Sequence, residues 1–143
     1  MKIHRTASAH WTGGLKDGKG QISTQSGALK QQPYGFASRF EGVAGTNPEE
    51  LIGAAHAGCF TMALSLILGE AGLTAESMET TATVTLESVE GGFGITAIAL
   101  KLVAKVPGTD EATFKDLASK AKAGCPVSKA LAAVPITLDV EFG

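Results

Sequence analysis

The chain has 143 residues, the length of one ordinary domain, and it is 44% hydrophobic but only 18% charged, against about 25% charged residues in typical soluble domains. This composition excludes a disordered protein and favours an oligomer, because little charge is available to cover the surface. The net charge is −2 and no basic block occurs, so we expect no nucleic-acid partner.

The N-terminal stretch Met1 to Trp11 lacks the apolar run of a secretory signal, so the cytosol is the expected compartment. Cys59 and Cys125 are the only two cysteines. In a reducing compartment such a pair is more often redox-active, catalytic or inert than a structural bridge, and the wide spacing fits no metal-binding signature.

The first 45 residues place scattered glycines between short candidate strands, which is typical of hairpins and loops. A long helix is then predicted, with Asn47 as its N-cap, Pro48 at the first helical position and Glu50 where a capping box requires it. The helix should run to about Glu70 and stop at Gly72.

The stretch Leu51 to Gly69 contains no Asp, Glu, Lys or Arg and just reaches the length of a membrane span. It includes glycines, hydroxyl groups and His56, and its ends lack aromatic or lysine anchors. We therefore expect a buried helix and no membrane partner. Four small residues at spacing four should let another helix approach closely: Gly53, Ala54, Ala57 and Gly58.

Two alternating strands follow, one around Ala82 to Leu86 and one from Ile98 to Val106, and the turn at Glu90, Gly91 and Gly92 predicts a hairpin between them. The segment from Pro107 to Asp110 opens a second helix, which presents an apolar face formed by Phe114, Leu117, Ala118 and Ala121.

The second helix ends at Gly124, and Pro126 restarts a short helix through Leu131 with Cys125 at its N-cap. A last strand runs from Ile136 to Phe142. Long blocks of strands and helices predict a single α+β domain, residues 1–143, with antiparallel sheet.

A thiol that attacks a peroxide must be ionised, and an ordinary thiol with a pKa of about 8.5 is only a few per cent thiolate at neutral pH. Arg39 is the only interior arginine and stands between Phe36 and Phe40. Its guanidinium can offer a fork of donors to a thiolate and a peroxide oxygen together. The alternative is an ordinary strand salt bridge to Glu41 or a neighbour.

Cys125 lies at a helix start, where free N–H groups favour a thiolate, so the residues alone predict that it is the more acidic thiol. Cys59 could simply be a small hydrophobe in a packed helix. His56, one turn before it, could act as a base or be a core histidine. Glu49 could serve only to compensate the helix dipole.

Two stretches, Thr46 to Phe60 and Ala123 to Ser128, each contain one cysteine and resemble the OsmC/Ohr family of thiol-dependent hydroperoxide reductases. The segments Gln31 to Phe36 and Arg39 to Gly42 extend the similarity over nearly the whole chain. The loop Gly13 to Lys16 has no arginine, which favours the osmotically inducible branch over the organic-hydroperoxide-resistance branch and leaves Lys16 without a role.

The resemblance implies an α+β fold in which antiparallel sheets wrap two central helices in an intertwined homodimer, with no metal or flavin cofactor. It implies that Cys59 attacks an organic hydroperoxide, or less readily hydrogen peroxide, and becomes a sulfenic acid, and that Cys125 resolves it as a disulfide. Arg39 then activates Cys59 and Glu49 holds the arginine. This order reverses the acidity argument.

The resemblance also implies a thiol reductant, and dihydrolipoyl proteins are one candidate that nothing in these residues selects. Glu49 and Cys59 are separated by about 15 Å along one helix. We therefore expect two antiparallel copies of this helix, with Glu49 of a partner subunit reaching the site of Arg39 and Cys59.

Two other functions stay open from the residues. One is a binding module that holds an apolar ligand around the central helix while both thiols stay inert. The other is acyl transfer from a cysteine, which requires a positioned base such as His56.

Overall fold

The computed structural model describes all residues, Met1–Gly143, in two compact units, Met1–Leu51 and Ile52–Gly143. The N-terminal unit contains three antiparallel strands, which confirms the predicted hairpins. They pair in the order β1, β2, β3, with the bounds Ala7–Thr12, Lys19–Thr24 and Gln32–Tyr34.

A short helix that the sequence analysis missed, α1 (Phe36–Phe40), follows β3. The backbone N–H of Gly35 donates to the hydroxyl oxygen of Ser38 at 2.9 Å, and the Ser38 hydroxyl donates to the carbonyl oxygen of Thr46 at 2.9 Å. Both bonds hold the first turn of α1 in place. Ser38, three residues after Gly35, was the sequence signal that could have predicted the start of this helix.

The central helix, α2 (Pro48–Glu70), begins and ends where the sequence predicts. The backbone N–H of Glu50 donates to the Asn47 side-chain oxygen at 2.8 Å, and the Asn47 amide donates to the Glu50 carboxylate. Gly72 adopts a left-handed conformation with φ of 75° just beyond the helix, the usual way to end one.

The C-terminal unit contains the predicted hairpin, two helices and a last strand. These elements are β4 (Ser77–Val89), β5 (Gly92–Lys105), α3 (Glu111–Gly124), α4 (Pro126–Ala130) and β6 (Ile136–Phe142). The prediction of an antiparallel sheet is wrong for one pair, since β6 runs parallel to β5. The connection through α3 and α4 is long enough to return the chain to the same end of the sheet, as a parallel crossover requires.

The core of the C-terminal unit lies between α2, the sheet and α3. Its buried side chains include Phe60, Leu64, Leu68, Ile98, Leu100, Leu102, Phe114, Ala118 and Ala121. Helix α2 is long and apolar enough to cross a membrane, but one of its faces belongs to this core. The opposite face is uncovered in the single chain, where Met62 and Leu66 are 76% and 65% exposed.

The small residues of α2 do not share one role. The expectation that Gly53 receives another helix is wrong. A Cβ atom on Gly53 would lie 3.4 Å from the Ala82 carbonyl oxygen and 3.5 Å from a Val84 methyl, whereas one on Gly58 would meet nothing within 4 Å. Gly53 therefore lets the helix approach β4. Only Ala54, Ala57 and Gly58 remain to receive another helix.

We expect Gly53→Val to lower the free energy of unfolding by about 1–3 kcal/mol more than Gly69→Val, because added methyl groups overpack the contact with β4. Gly69 is the matched control, since it lies on the same helix with no neighbour within 4 Å of a Cβ. Urea unfolding of both variants measures the difference. Equal stabilities would show that Gly53 is not required for packing.

Candidate active site

The two cysteines lie in contact within the C-terminal unit. Both are free thiols, Cys59 half-buried on α2 and Cys125 fully buried between α3 and α4. Their sulfur atoms are 2.9 Å apart and share a hydrogen bond. A disulfide bond is about 2.05 Å long, so a small side-chain movement is enough to join them.

The surroundings of the two sulfurs differ. Burial raises the pKa of Cys59, and the hydrogen bond with Cys125 adds to this rise. Burial also opposes the Cys125 thiolate, but hydrogen bonds from Cys59, Ser128 and the Val127 backbone outweigh it and lower the pKa of Cys125. The Cys125 side chain makes no capping hydrogen bond at the start of α4, yet the lowered pKa agrees with the acidity expected at a helix start.

The surroundings of His56 do not fit the role of a base on Cys59. It is fully buried, and its Nε2 lies 2.8 Å from the hydroxyl oxygen of Ser128 on α4. Its other ring nitrogen, Nδ1, has no hydrogen-bond partner. Burial lowers the pKa of His56, so the ring is neutral at pH 7. Sequence analysis missed Ser128, although its position three residues after the Cys125 N-cap was a usable signal.

Arg39 and Glu49 form a two-pronged ion pair in the N-terminal unit. The Arg39 Nε and Nη2 atoms each donate to a Glu49 carboxylate oxygen at 3.1 Å, and the guanidinium lies 5.4 Å from the Phe40 ring centre. The expectation that Glu49 of a partner subunit holds Arg39 is therefore wrong, because the carboxylate of the same chain does so. The alternative partner Glu41 makes no salt bridge.

The physical reason is the short connection between α1 and α2. Tyr34 and Thr46 form a parallel bridge, and left-handed Gly42, with φ of 74°, helps to reverse the chain. The end of α1 is thus brought back to the start of α2. The Glu49 side chain is only 11% exposed, while Arg39 keeps 37% of its surface accessible.

Lys16 also has a place in the N-terminal unit. Its Nζ atom lies 5.6 Å from the centre of the Phe36 ring, a cation–π distance. Lys16, at the end of the loop Gly13 to Lys16, therefore contacts Phe36, the first residue of α1.

The four predicted site residues thus form two pairs, Cys59 with Cys125 and Arg39 with Glu49, in different units of the chain. The model of the OsmC-like protein family matches residues 40–141, a range that includes part of both units. The chain belongs to the OsmC-like family, as its resemblance predicts.

The chain is 62% identical over 142 residues to peroxiredoxin OsmC of Escherichia coli K12, covering 99% of both proteins. It is 33% identical over 131 residues to the organic hydroperoxide resistance protein of Xanthomonas axonopodis pv. citri, covering 90% of this chain and 88% of that protein. It also resembles the crystal structure of the organic hydroperoxide resistance protein OhrB of Bacillus subtilis, with a TM-score of 0.69, 29% identity and coverage of 96% and 98%.

We expect the reduced protein to titrate in two separate steps, one below and one above the ordinary thiol range, because the first thiolate formed disfavours the second. Thiolate absorbance as a function of pH measures both steps. Cys59→Ser should retain the lower step, since the donors to Cys125 remain and serine keeps a hydroxyl at position 59. Two thiols that titrate together near the ordinary pKa would contradict the contact between the sulfurs.

Proposed function

We propose that this chain is a peroxidase that reduces organic hydroperoxides, and hydrogen peroxide less well, with Cys59 and Cys125 as its redox pair. The 2.9 Å contact between the two sulfurs carries the proposal, since it is the distance from which a disulfide can close. The names of the curated relatives, a peroxiredoxin and an organic hydroperoxide resistance protein, support it.

In the first step the Cys59 thiolate attacks the outer oxygen of the hydroperoxide. The O–O bond breaks, the alkoxide leaves and takes a proton to become an alcohol, and Cys59 becomes a sulfenic acid. Cys125 then attacks the Cys59 sulfur, the S–O bond breaks with loss of water, and a disulfide forms. A thiol reductant, such as a dihydrolipoyl protein, restores both thiols. This sequence uses no metal or flavin.

Cys59 is the better placed of the two thiols to meet a peroxide. Cys125 has no exposed surface, whereas Cys59 is partly exposed. Access thus favours Cys59 as the nucleophile, although acidity favours Cys125. The Cys125 thiol lies in the interior, in contact with the Cys59 sulfur.

We expect Cys59→Ser to consume no hydroperoxide and Cys125→Ser to react once and stop at the sulfenic acid, which further peroxide overoxidises. Intact mass spectrometry after addition of cumene hydroperoxide distinguishes the products. Full peroxide reactivity in Cys59→Ser would assign the nucleophile to Cys125. If neither thiol of the wild-type protein reacted, the protein would be the alternative binding module with inert thiols.

Activation of Cys59 requires a positive charge, and Arg39, held by Glu49, is the group we assign to it. Glu49 precedes Cys59 by ten residues, about 15 Å along the axis of α2. If two copies of α2 pack antiparallel, the first turn of one lies beside the middle of the other. We therefore propose a homodimer in which the Arg39–Glu49 pair of each subunit serves Cys59 of its partner.

The uncovered face of α2 supports this dimer. Met62 and Leu66 are largely exposed in the single chain, and large exposed apolar groups in a row mark an interaction surface. Gly58, with open space above it, allows close approach of a second helix. In this proposal both units of the chain act as one OsmC-like domain, in a cytoplasmic protein whose sheets enclose two central helices.

Refolding Glu49→Ala together with Cys59→Ser tests the shared site. Random pairing makes half of the dimers mixed, and each mixed dimer combines one intact cysteine pair with the intact Arg39–Glu49 pair of the other subunit. About a quarter of the wild-type activity should appear, since one of every four sites is complete. The measurement is peroxide consumption by the mixture and by each parent.

Separate refolding of each parent, followed by mixing without denaturant, is the control. Activity of the co-refolded sample no greater than the average of the parents would place Arg39 and Glu49 beside the cysteines of their own chain.

A further inference from the structure

A chain of buried polar groups leads from the two sulfurs into the interior. Ser128 lies in the first turn of α4, three residues after Cys125 at the N-cap, and although burial opposes the thiolate, hydrogen bonding from Cys59 and Ser128 lowers the pKa of Cys125. The Ser128 hydroxyl oxygen lies 2.8 Å from Nε2 of His56 on α2. Cys125 and His56 are fully buried, and Ser128 is 7% exposed.

His56 occupies a position where an apolar side chain would be expected. The buried residues of α2 recur every four positions, as His56, Phe60, Leu64 and Leu68. The Nδ1 atom of His56 has no hydrogen-bond partner, and a buried polar atom without a hydrogen bond costs free energy. Packing alone would be served at least as well by leucine, so the ring nitrogen that faces Ser128 requires another explanation.

The hydrogen bonds of the network have a defined direction. A neutral imidazole has one N–H, and a buried N–H without an acceptor is rarer than a bare lone pair. The proton therefore belongs on Nε2, which donates to the Ser128 hydroxyl oxygen. The Ser128 hydrogen is then not shared with His56 and is available to the Cys125 sulfur at the N-cap three residues earlier, so a thiolate at Cys125 would be stabilised by two donors acting in series.

We propose that His56 and Ser128 are positioning residues that hold Cys125 as the thiolate nucleophile of the disulfide-forming step. In that step the Cys125 sulfur forms a bond to the Cys59 sulfur of the sulfenic acid, the S–O bond breaks, and hydroxide leaves with its electron pair and becomes water by taking up the proton that Cys125 released to solvent on ionising. The Cys125 sulfur is oxidised and the sulfenic sulfur is reduced. His56 stays neutral throughout. This inference rests on the proposed peroxidase function.

The other titratable groups around Cys125 are few. Cys59 faces it from α2, and the charged side chains on the adjoining turns are Lys122 of α3 and Lys129 of α4, neither of which forms a salt bridge. These lysines are unchanged in the variants below. A shift of the pH midpoint in those variants therefore reports on the hydrogen bonds of His56 and Ser128.

A single-turnover experiment separates the two chemical steps. Reduced protein is mixed with one equivalent of cumene hydroperoxide, and acid-quenched samples are analysed by intact mass for sulfenic acid and disulfide over a range of pH. We expect Ser128→Ala and His56→Leu to slow disulfide formation about tenfold or more, the effect of losing a hydrogen bond to a charged group. The pH midpoint of this step should rise, and the sulfenic acid should accumulate.

Conservative variants distinguish positioning from a merely structural role. Ser128→Thr keeps the hydroxyl and His56→Gln keeps a side-chain N–H donor, so each should recover much of the rate and the original pH midpoint. Ser119→Ala, the same substitution at an exposed serine of α3, is the matched control. Wild-type rates and pH midpoints of disulfide formation in both Ser128→Ala and His56→Leu would overturn the proposal.

A second measurement stays informative even if the chain reduces no peroxide. In the Cys59→Ser background, the pH titration of thiolate absorbance reports Cys125 alone. Adding Ser128→Ala or His56→Leu should move that titration to higher pH if the network stabilises the thiolate. An unchanged titration in both double variants would reject the role of the network, whereas a shift together with an inert wild-type protein would reject only the peroxidase function.

Discussion

The contact between the two sulfurs depends on the packing of one face of α2 against the C-terminal sheet. Phe60, Leu64 and Leu68 anchor that face in the core, which fixes the rotation of the helix about its axis. Cys59 precedes Phe60 and so lies about 100° around the helix from it, at the edge of the buried face. From there its sulfur reaches Cys125 in the interior and still keeps some exposed surface.

The same constraint leaves the rest of α2 uncovered. A helix that is apolar around its circumference can bury only one side against its own sheet, and Met62 and Leu66 accordingly face outward. Gly53 strengthens this asymmetry because it brings the helix close to β4. The second copy of α2 in the proposed homodimer would account for both the exposed apolar face and the distance between Glu49 and Cys59.

Features of the fold that depend on neighbouring residues could be predicted from the sequence. Features that depend on contacts between distant segments could not. The Asn47 cap and the stop at Gly72 depend on residues within a few positions, so the bounds of α2 could be read directly. The parallel pairing of β6 could not, because strand direction depends on how the chain passes α3 and α4. Glu49 was predicted as the partner of Arg39, but the turn that reverses the chain between Gly42 and Thr46, and so lets Glu49 of the same chain reach Arg39, was likewise not predicted.

The resemblance identified the cysteine pair and implied which thiol attacks and which resolves, but the surroundings of the two thiols needed the structure. A helix start predicts an acidic thiol at position 125, and the directions of both pKa shifts agree. Sequence spacing could not reveal that Cys125 has no exposed surface or that His56 reaches across to Ser128. Both depend on how α2 and α4 pack, which no local pattern encodes.

Two thiols in contact compete for one negative charge, and the order of the chemistry decides which must hold it. In the proposed mechanism the thiolate is needed on Cys59 before peroxide arrives, yet the donors around Cys125 favour a thiolate there, so the arginine proposed to act at Cys59 has to overcome them. Once Cys59 is a sulfenic acid it no longer competes for the charge. The same donors then favour the thiol that must attack next, so a feature that slows the first step accelerates the second.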